Sequence, residues 1–516
     1  MHLIPFSKEY SSLSGKFVLQ DDSQIFCHPI FRDVVQGFID EINGLGKNVQ
    51  LTQDYEKATI LFCLPAEDVR LSDQGYNVAC SEHLLSVYTS TQQGAFYAIQ
   101  TLRQLFCLDE GSDQLVCDAC EIRDNPKYQW RGLELDIARH FFDKETIKKV
   151  INLMAKIKLN KLFLHVSDDQ GYRLESEKFP LLNSVGSCRQ GSEVHEKGRR
   201  YVDQVPVCGY LTKQDVKEIV EYASARFVDV VPKINVPGHS LAILASYPHL
   251  GCQGAYKVAQ TWNPTKDALC AGDDQTYEFL ESLLDEITSM FSSDYVHLCN
   301  TNFNKERWHN CKKCQEKMSQ LKLRDEDHLQ KHFFNHFVDY LAQKGKTVLC
   351  DNDAPCTLPE QVVCQHWSRI RSHATKRHVK NGGQVLLSDY RRFSLDFPHK
   401  VLSSKKVYKF RATKFIKDKS LILGKICRLS TEYVNDQYKL FYNLFPRLWA
   451  FAENAWGTNN NYASFVKRAK EMEHVYQNKQ IVFARDVLSK RSGVSKTEIK
   501  KFLLSPNDEV NKSKND

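Results

Sequence analysis

Several things are missing from this sequence at once. It has no apolar stretch near the ~18 residues that a membrane-spanning helix needs. Its first residues, Met1-His2-Leu3-Ile4-Pro5-Phe6, carry neither a basic run nor a sustained apolar one. No secretory leader and no membrane partner are therefore expected. No strand-like run is followed by the glycine-rich turn that cradles a phosphate, which argues against a doubly wound nucleotide-binding sheet. Neither sign of charge dominates: 70 basic against 63 acidic residues leave a net charge of +7, with both signs interspersed. That balance indicates a solvated mixed surface and no nucleic-acid partner. Internal repeats and low-complexity tracts are also missing. Thr458-Asn459-Asn460-Asn461 is too short for one and reads as a turn.

Cysteine, by contrast, is plentiful. Seventeen is a large and odd number. Without a leader these residues read as free thiols in a reducing cytoplasm, which is the expected location. Two C-x-x-C pairs, Cys117/Cys120 and Cys311/Cys314, would together supply four zinc ligands. Nearly two hundred residues separate them, and neither has zinc-ribbon flanks. Unpaired thiols are the preferred reading, and no metal or other cofactor is expected.

At 516 residues the chain is long enough for two or three domains. Hydrophobic content of 42% and charged content of 26% are those of an ordinary globular protein. Residues 1–125 read as a small α+β domain. Phe17-Val18-Leu19, Ile60-Leu61-Phe62 and Leu84 to Tyr88 are strand-like, and Ile30–Ile42 and Gln92–Phe106 have helical periodicity. From Trp130 the pattern changes to strands alternating with amphipathic helices such as Lys144–Ile157 and Lys213–Ala225. The candidate strands are Gly132–Ile137, Lys161–Val166, Val228–Val236, Tyr295–Thr301, Thr347–Asp351, Val362–Trp367, Gln384–Ser388 and Ser420–Leu429. Eight βα units predict an α/β fold, a (β/α)8 TIM barrel over residues 126–457. Residues 458–516 are expected to be a helical extension reaching about Leu504, with a disordered end at Asn511 to Asp516.

In such a barrel the chemistry lies where the strands end. The first strand ends Asp136-Ile137-Ala138-Arg139-His140, the second Ser167-Asp168-Asp169-Gln170, the third Asn235-Val236-Pro237-Gly238-His239, and the eighth is followed by Glu432. A guanidinium, carboxylates and an imidazole on one rim suit a hydroxyl-rich ligand. Singly, each has a plain alternative: Arg139 could pair with Asp136, Asp168 could cap a helix, and His239 could be a turn residue. The fourth strand ends Cys299-Asn300-Thr301-Asn302, without a carboxylate, and Phe303 to Trp308 is expected to start a helix.

Several motifs resemble the family 20 glycoside hydrolases, the β-N-acetylhexosaminidases. They are Trp130-Arg131-Gly132-Leu133-Glu134-Leu135-Asp136 through Arg139-His140-Phe141-Phe142, Asp168-Asp169-Gln170-Gly171-Tyr172-Arg173, Pro237-Gly238-His239-Ser240, and Phe445-Pro446-Arg447-Leu448 with Glu453-Asn454-Ala455-Trp456. Gly94-Ala95-Phe96-Tyr97-Ala98 resembles the end of that family's small domain. The resemblance implies substrate-assisted retention, in which the sugar's acetamido oxygen attacks the anomeric carbon. An Asp holds the acetamido nitrogen, and the adjacent Glu protonates the leaving oxygen. The positions matching that pair are Thr301 and Asn302. The family's E-I-D is here Lys233-Ile234-Asn235, its W-D-E is Cys350-Asp351-Asn352, its orienting Tyr is Ser394, and a pocket Trp is Ser430. Arg139, Asp168, Asp169, His239, Trp367 and Glu432 match sugar-binding or supporting positions.

The expectation is a family 20-like protein that is catalytically silent and binds an N-acetylhexosamine glycan, or an anionic sugar if Lys233 faces the cavity. The alternative for Lys233 is a buried carboxylate partner. Two other functions stay open: an active hexosaminidase whose displaced acid is Asp351, Asp353 or Glu432, and a scaffold without a sugar. The sequence leaves the oligomeric state open.

Overall fold

Each of the eight predicted barrel strands forms in the computed structural model, which describes residues 3–109, 112, 114–196, 199–355, 357–411, 416–458, 460–477, 483 and 484. They are β1 (Trp130–Asp136), β2 (Lys161–Asp168), β3 (Asp229–Asn235), β4 (Tyr295–Cys299), β5 (Thr347–Asp351), β6 (Val363–His366), β7 (Val385–Leu387) and β8 (Ile422–Leu429). Parallel ladders join each to the next, and β8 neighbours β1, so the sheet closes. Closure removes both edges, and the helices cover the outer face. These helices begin where side chains cap them. Thr212 and Asp215 form a capping box for Lys213–Ser224, and Asp325 caps Glu326–Gln343.

Predicted and observed strand ends differ mostly by one or two residues. The difference matters at β4, which stops at Cys299, so Asn300, Thr301 and Asn302 are loop. The helix expected from Phe303 starts instead at Glu306, because Asn304 accepts the Glu306 N–H at 2.9 Å and holds the preceding residues in a turn.

The barrel interior carries a buried polar network. Lys233 Nζ lies 2.9 Å from Glu134 and 3.1 Å from Asp351, and its side chain is 1% exposed. Gln365 donates to Glu134 at 3.1 Å, and the Arg428 guanidinium is 3.4 Å from it. Two cations and two carboxylates balance, as burial of charge requires. Lys233 thus has its carboxylate partners inside the barrel, the alternative given for it above.

By internal contacts the chain forms two compact units. One comprises Gly132–Asn152, Asn160–Arg447 and Val482–Asp516; the other comprises Met1–Arg131, Leu153–Leu159 and Leu448–Ile481. The second has a mixed sheet in the order Glu9–Leu19, Leu115–Asp124, Tyr76–Cys80, Leu85–Thr89, Ile60–Cys63, Gln24–Cys27, Gln50–Thr52. It also holds the helices Arg32–Asn43, Gln92–Leu105 and Tyr462–Gln477. In the predicted continuation of the tail to Leu504, Phe483 and Ala484 are described and are not helical; its other residues past Gln477, the expected disordered end and Asn459 of the predicted turn lie outside the described residues.

The reading of all cysteines as free thiols is corrected at one pair. Cys188 and Cys208 face each other across a short antiparallel ladder and form a disulfide. The ladder belongs to an excursion between β2 and β3, and no local sequence pattern announces it. The two C-x-x-C pairs do not combine either. Cys117 neighbours Cys80 at 3.7 Å within the small-domain sheet, whereas Cys311 and Cys314 meet Cys252 and Cys270. No helix among the described residues is long and apolar enough to cross a membrane.

Candidate functional site

At the end of β1 the Asp136 carboxylate accepts the N–H groups of Ala138 and Arg139 at 2.9 and 3.2 Å. That turn throws Arg139 across the barrel mouth. Its guanidinium reaches Asp136 at 2.8 Å, Asp168 at 2.9 Å and Glu432 at 3.4 Å. Asn235 also donates to Asp168, at 2.7 Å. His239, in the left-handed region at φ 54°, brings Nδ1 to 3.2 Å from Asp169 and 3.5 Å from Asp168. A non-glycine residue held there costs about 1–3 kcal/mol, which the two carboxylates help to offset. Arg139, Asp168, His239 and Glu432 are therefore brought together, as predicted, and the plain readings of Arg139 and His239 are both partly right. Asp168 is no helix cap.

Burial alone would raise the Asp168 pKa, but Arg139, His239 and His165 outweigh it and hold the carboxylate well below its usual range. Burial would likewise neutralise His239, yet Asp168 and Asp169 push its pKa up to about 10. Glu432 behaves differently. Desolvation, with the charges of Asp136 and Asp396, raises it to about 7 against the pull of Arg139. Its side chain keeps 28% of its surface open, the most of this group, so it is the carboxyl best placed to meet a ligand.

Trp367 follows β6. Its ring lies against Tyr390, with centroids 5.5 Å apart, and the Arg428 guanidinium sits 5.1 Å from its centre. Its indole Nε1 is enclosed without a protein partner, as is Asp396 Oδ1. A buried donor and a buried acceptor left open are what a ligand's polar groups would satisfy. Asp396 was missed in the sequence reading. The available signal was its place beside Leu395 in a segment already matched for Ser394.

The ends of β3, β4 and β5 are built otherwise. Gln330 donates to Asn300 Oδ1 at 2.6 Å and to the Thr301 carbonyl at 3.0 Å. Asn302 Oδ1 accepts from Lys305 Nζ at 2.8 Å, and Lys305 also pairs with Asp327 at 2.8 Å. Asn352 is buried and serves as a strap. It donates to Ser368 O and Thr375 Oγ1 at 2.8 and 3.0 Å and accepts the N–H groups of Trp367 and Ser368. Cys350 is fully buried, and Ser394 is buried and bridged to Arg428. Asp351 is held ionised: Lys233 and His297 outweigh the burial that would raise its pKa. Asp353 is pushed up to about 7 by burial and by Asp351.

The sequence pattern of the "Glycosyl hydrolase family 20, catalytic domain" matches residues 128–459, and that of "Glycosyl hydrolase family 20, domain 2" matches residues 1–125. The chain belongs to glycoside hydrolase family 20. Within the family, a beta-hexosaminidase of Porphyromonas gingivalis is 30% identical over 420 residues, which are 77% of this chain and 53% of the relative. The chain thus spans about half the length of that relative. A β-N-acetylhexosaminidase structure from Bacteroides fragilis matches with a TM-score of 0.81 and 27% identity, covering 95% of this chain and 99% of the other. A family 20 exo-β-N-acetylglucosaminidase from Vibrio harveyi, in complex with N-acetylglucosamine, matches with a TM-score of 0.82 over 93% of this chain and 78% of the other. At 24% identity that likeness is one of fold.

Proposed function

We propose that this family 20 protein binds an N-acetylhexosamine-containing glycan and does not hydrolyse it. The observation that carries the reading is the end of β4. Thr301 and Asn302 match, by the motif resemblance, the Asp and the proton-donating Glu, and Lys305 Nζ donates to Asn302 Oδ1 at 2.8 Å. Neither side chain can donate a proton as a carboxylic acid does or balance an oxazolinium charge. Binding is supported by Arg139, Glu432 and the open polar atoms of Trp367 and Asp396.

The test is a chromogenic N-acetylglucosaminide assay run beside calorimetric titration with N-acetylglucosamine and its β-linked oligomers. Binding without turnover is expected. Turnover far above a heat-killed control would overturn the silent reading, and no heat with any of these sugars would favour a scaffold.

A second reading rests on one observation: Asp353 and Glu432 each have a pKa of about 7, a value suited to a general acid. If either has taken over protonation, turnover will be measurable and will fall through neutral pH as the acid ionises. Asp351 does not qualify, because Lys233 keeps it charged.

A further inference from the structure

Four cysteines converge in the loops that follow β3 and β4. Cys252 lies beyond the short turn Pro248–Leu250, and Cys270 precedes the helix Asp274–Met290. Cys311 caps the helix Lys312–Gln320, and Cys314 sits in its first turn. All four sulfurs lie within 4.8 Å of one another. Cys270 is 3.7 Å from Cys314 and 3.8 Å from Cys311, and Cys252 is 3.9 Å from Cys314. None is in a disulfide; three are buried and Cys252 is partly so.

The distances discriminate among the possible states. A disulfide places its sulfurs about 2.05 Å apart, far closer than these. Tetrahedral zinc with Zn–S bonds of about 2.3 Å places them about 3.8 Å apart along each edge, about 1.63 times the bond length. Three of the six separations fall on the second value, and the others lie within 4.8 Å.

The backbone is arranged to match. Gly251 and Leu269 form an antiparallel bridge, and the Cys270 N–H donates to Leu250 O at 2.8 Å, which brings Cys252 and Cys270 together. The C-x-x-C pair at the start of the neighbouring helix supplies the other two sulfurs, where helix N–H groups favour thiolates. The two segments touch so closely that a Cβ on Gly272 would lie 2.3 Å from Cys314 N.

We propose that Cys252, Cys270, Cys311 and Cys314 form a structural zinc site that clips the loop after β3 to the loop after β4. Four protein sulfurs fill the coordination sphere and leave no position for water or substrate, so the ion is structural and not catalytic. Binding would turn the thiols into thiolates and release their protons. The clip would steady the rim itself. Leu269 N–H donates to Pro237 O at 2.9 Å beside His239, and the Phe303 ring next to Asn302 would lie 3.0 Å from a Cβ on Gly238.

The full-length protein, purified under reducing conditions without chelators, should carry one zinc per chain by inductively coupled plasma mass spectrometry. Exchange with Co²⁺ should give thiolate-to-cobalt charge transfer and the intense red absorption of a tetrahedral sulfur site. Cys270→Ser and Cys311→Ser should lose zinc at least tenfold, and Cys117→Ser/Cys120→Ser should keep it. If the first two variants fail to fold, the wild-type stoichiometry and cobalt spectrum decide alone. Reduced wild-type protein that holds no zinc and takes up no cobalt would overturn the proposal. So would zinc that follows Cys117/Cys120, or peptide mapping that finds disulfides among the four.

Discussion

At the ends of β1, β2 and β8, with His239 from the loop after β3, the rim side chains are ionisable and touch one another. Arg139 is held among Asp136, Asp168 and Glu432, and His239 lies between Asp168 and Asp169. At the ends of β4 and β5 stand Thr301, Asn302 and Asn352, and Lys233 of β3 lies inside the barrel. The two halves differ in what removing a residue does to the fold. Taking Arg139 from the first half leaves Asp136 and Glu432 without this cation and Asp168 with His239 in its place. In the second half each replacement is neutral or paired, with a local partner: Gln330 for Asn300 and Thr301, Lys305 for Asn302, and Glu134 with Asp351 for Lys233. The charges of the first half thus also hold the barrel mouth together.

The largest effect expected concerns chemistry. Thr301→Asp with Asn302→Glu should remain near background on a chromogenic N-acetylglucosaminide. The new Glu would meet Lys305 where Asn302 now does, and the ammonium would keep it ionised when a proton is needed. General acid catalysis is worth about 10²–10⁴-fold, and groups that act as a unit are not recovered singly. Adding Ser394→Tyr and Ser430→Trp should raise the rate. Robust turnover by the double variant alone would show that the second half of the rim is still built for hydrolysis.

Next in size are the buried charges. Lys233→Glu sets a third carboxylate beside Glu134 and Asp351, so urea melts should show a loss of at least about 3–5 kcal/mol. Arg139→Met should cost about 3–5 kcal/mol by the same logic and also abolish sugar binding in calorimetry. A stable, sugar-binding Arg139→Met protein would break the proposed link between the first half of the rim and the fold.

A smaller effect is set by pH. His239 has a folded pKa of about 10 against about 6.5 unfolded. The stability it contributes is complete below pH ~6.5 and lost as pH rises through about 10. Denaturant melts across that window should therefore decline more steeply for wild type than for His239→Gln. Parallel curves would mean that His239 is not charged in the folded protein. The smallest effect is Asn302→Ala, which should change stability by no more than about 0.5 kcal/mol, since Lys305 keeps Asp327. A loss of several kcal/mol would contradict the easy replacement of groups in the second half.

The rim residues legible in advance were those in long motifs at strand ends, such as Asp136 to Arg139 and Pro237-Gly238-His239. Asp396 was passed over, and Lys233 was left between two fates, because a strand residue's period of two does not say what lies across the barrel. Asn352 aligned with a catalytic-motif position yet proved to be a strap for the loop after β6, a role set by Ser368 and Thr375 and invisible in the segment itself.

The sequence by itself determined the barrel, the order of its strands along the chain, and the uncharged Thr301 and Asn302 after the fourth of them. Hydrophobic alternation and residue chemistry are local properties, carried by each segment before it packs. Only the tertiary structure decided that Lys233 is matched inside the barrel, that Cys188 pairs with Cys208, and that Cys311 and Cys314 meet Cys252 and Cys270 and not Cys117 and Cys120. Those outcomes depend on which distant segments closure of the barrel brings within a few ångströms, and spacing along the chain does not encode that distance.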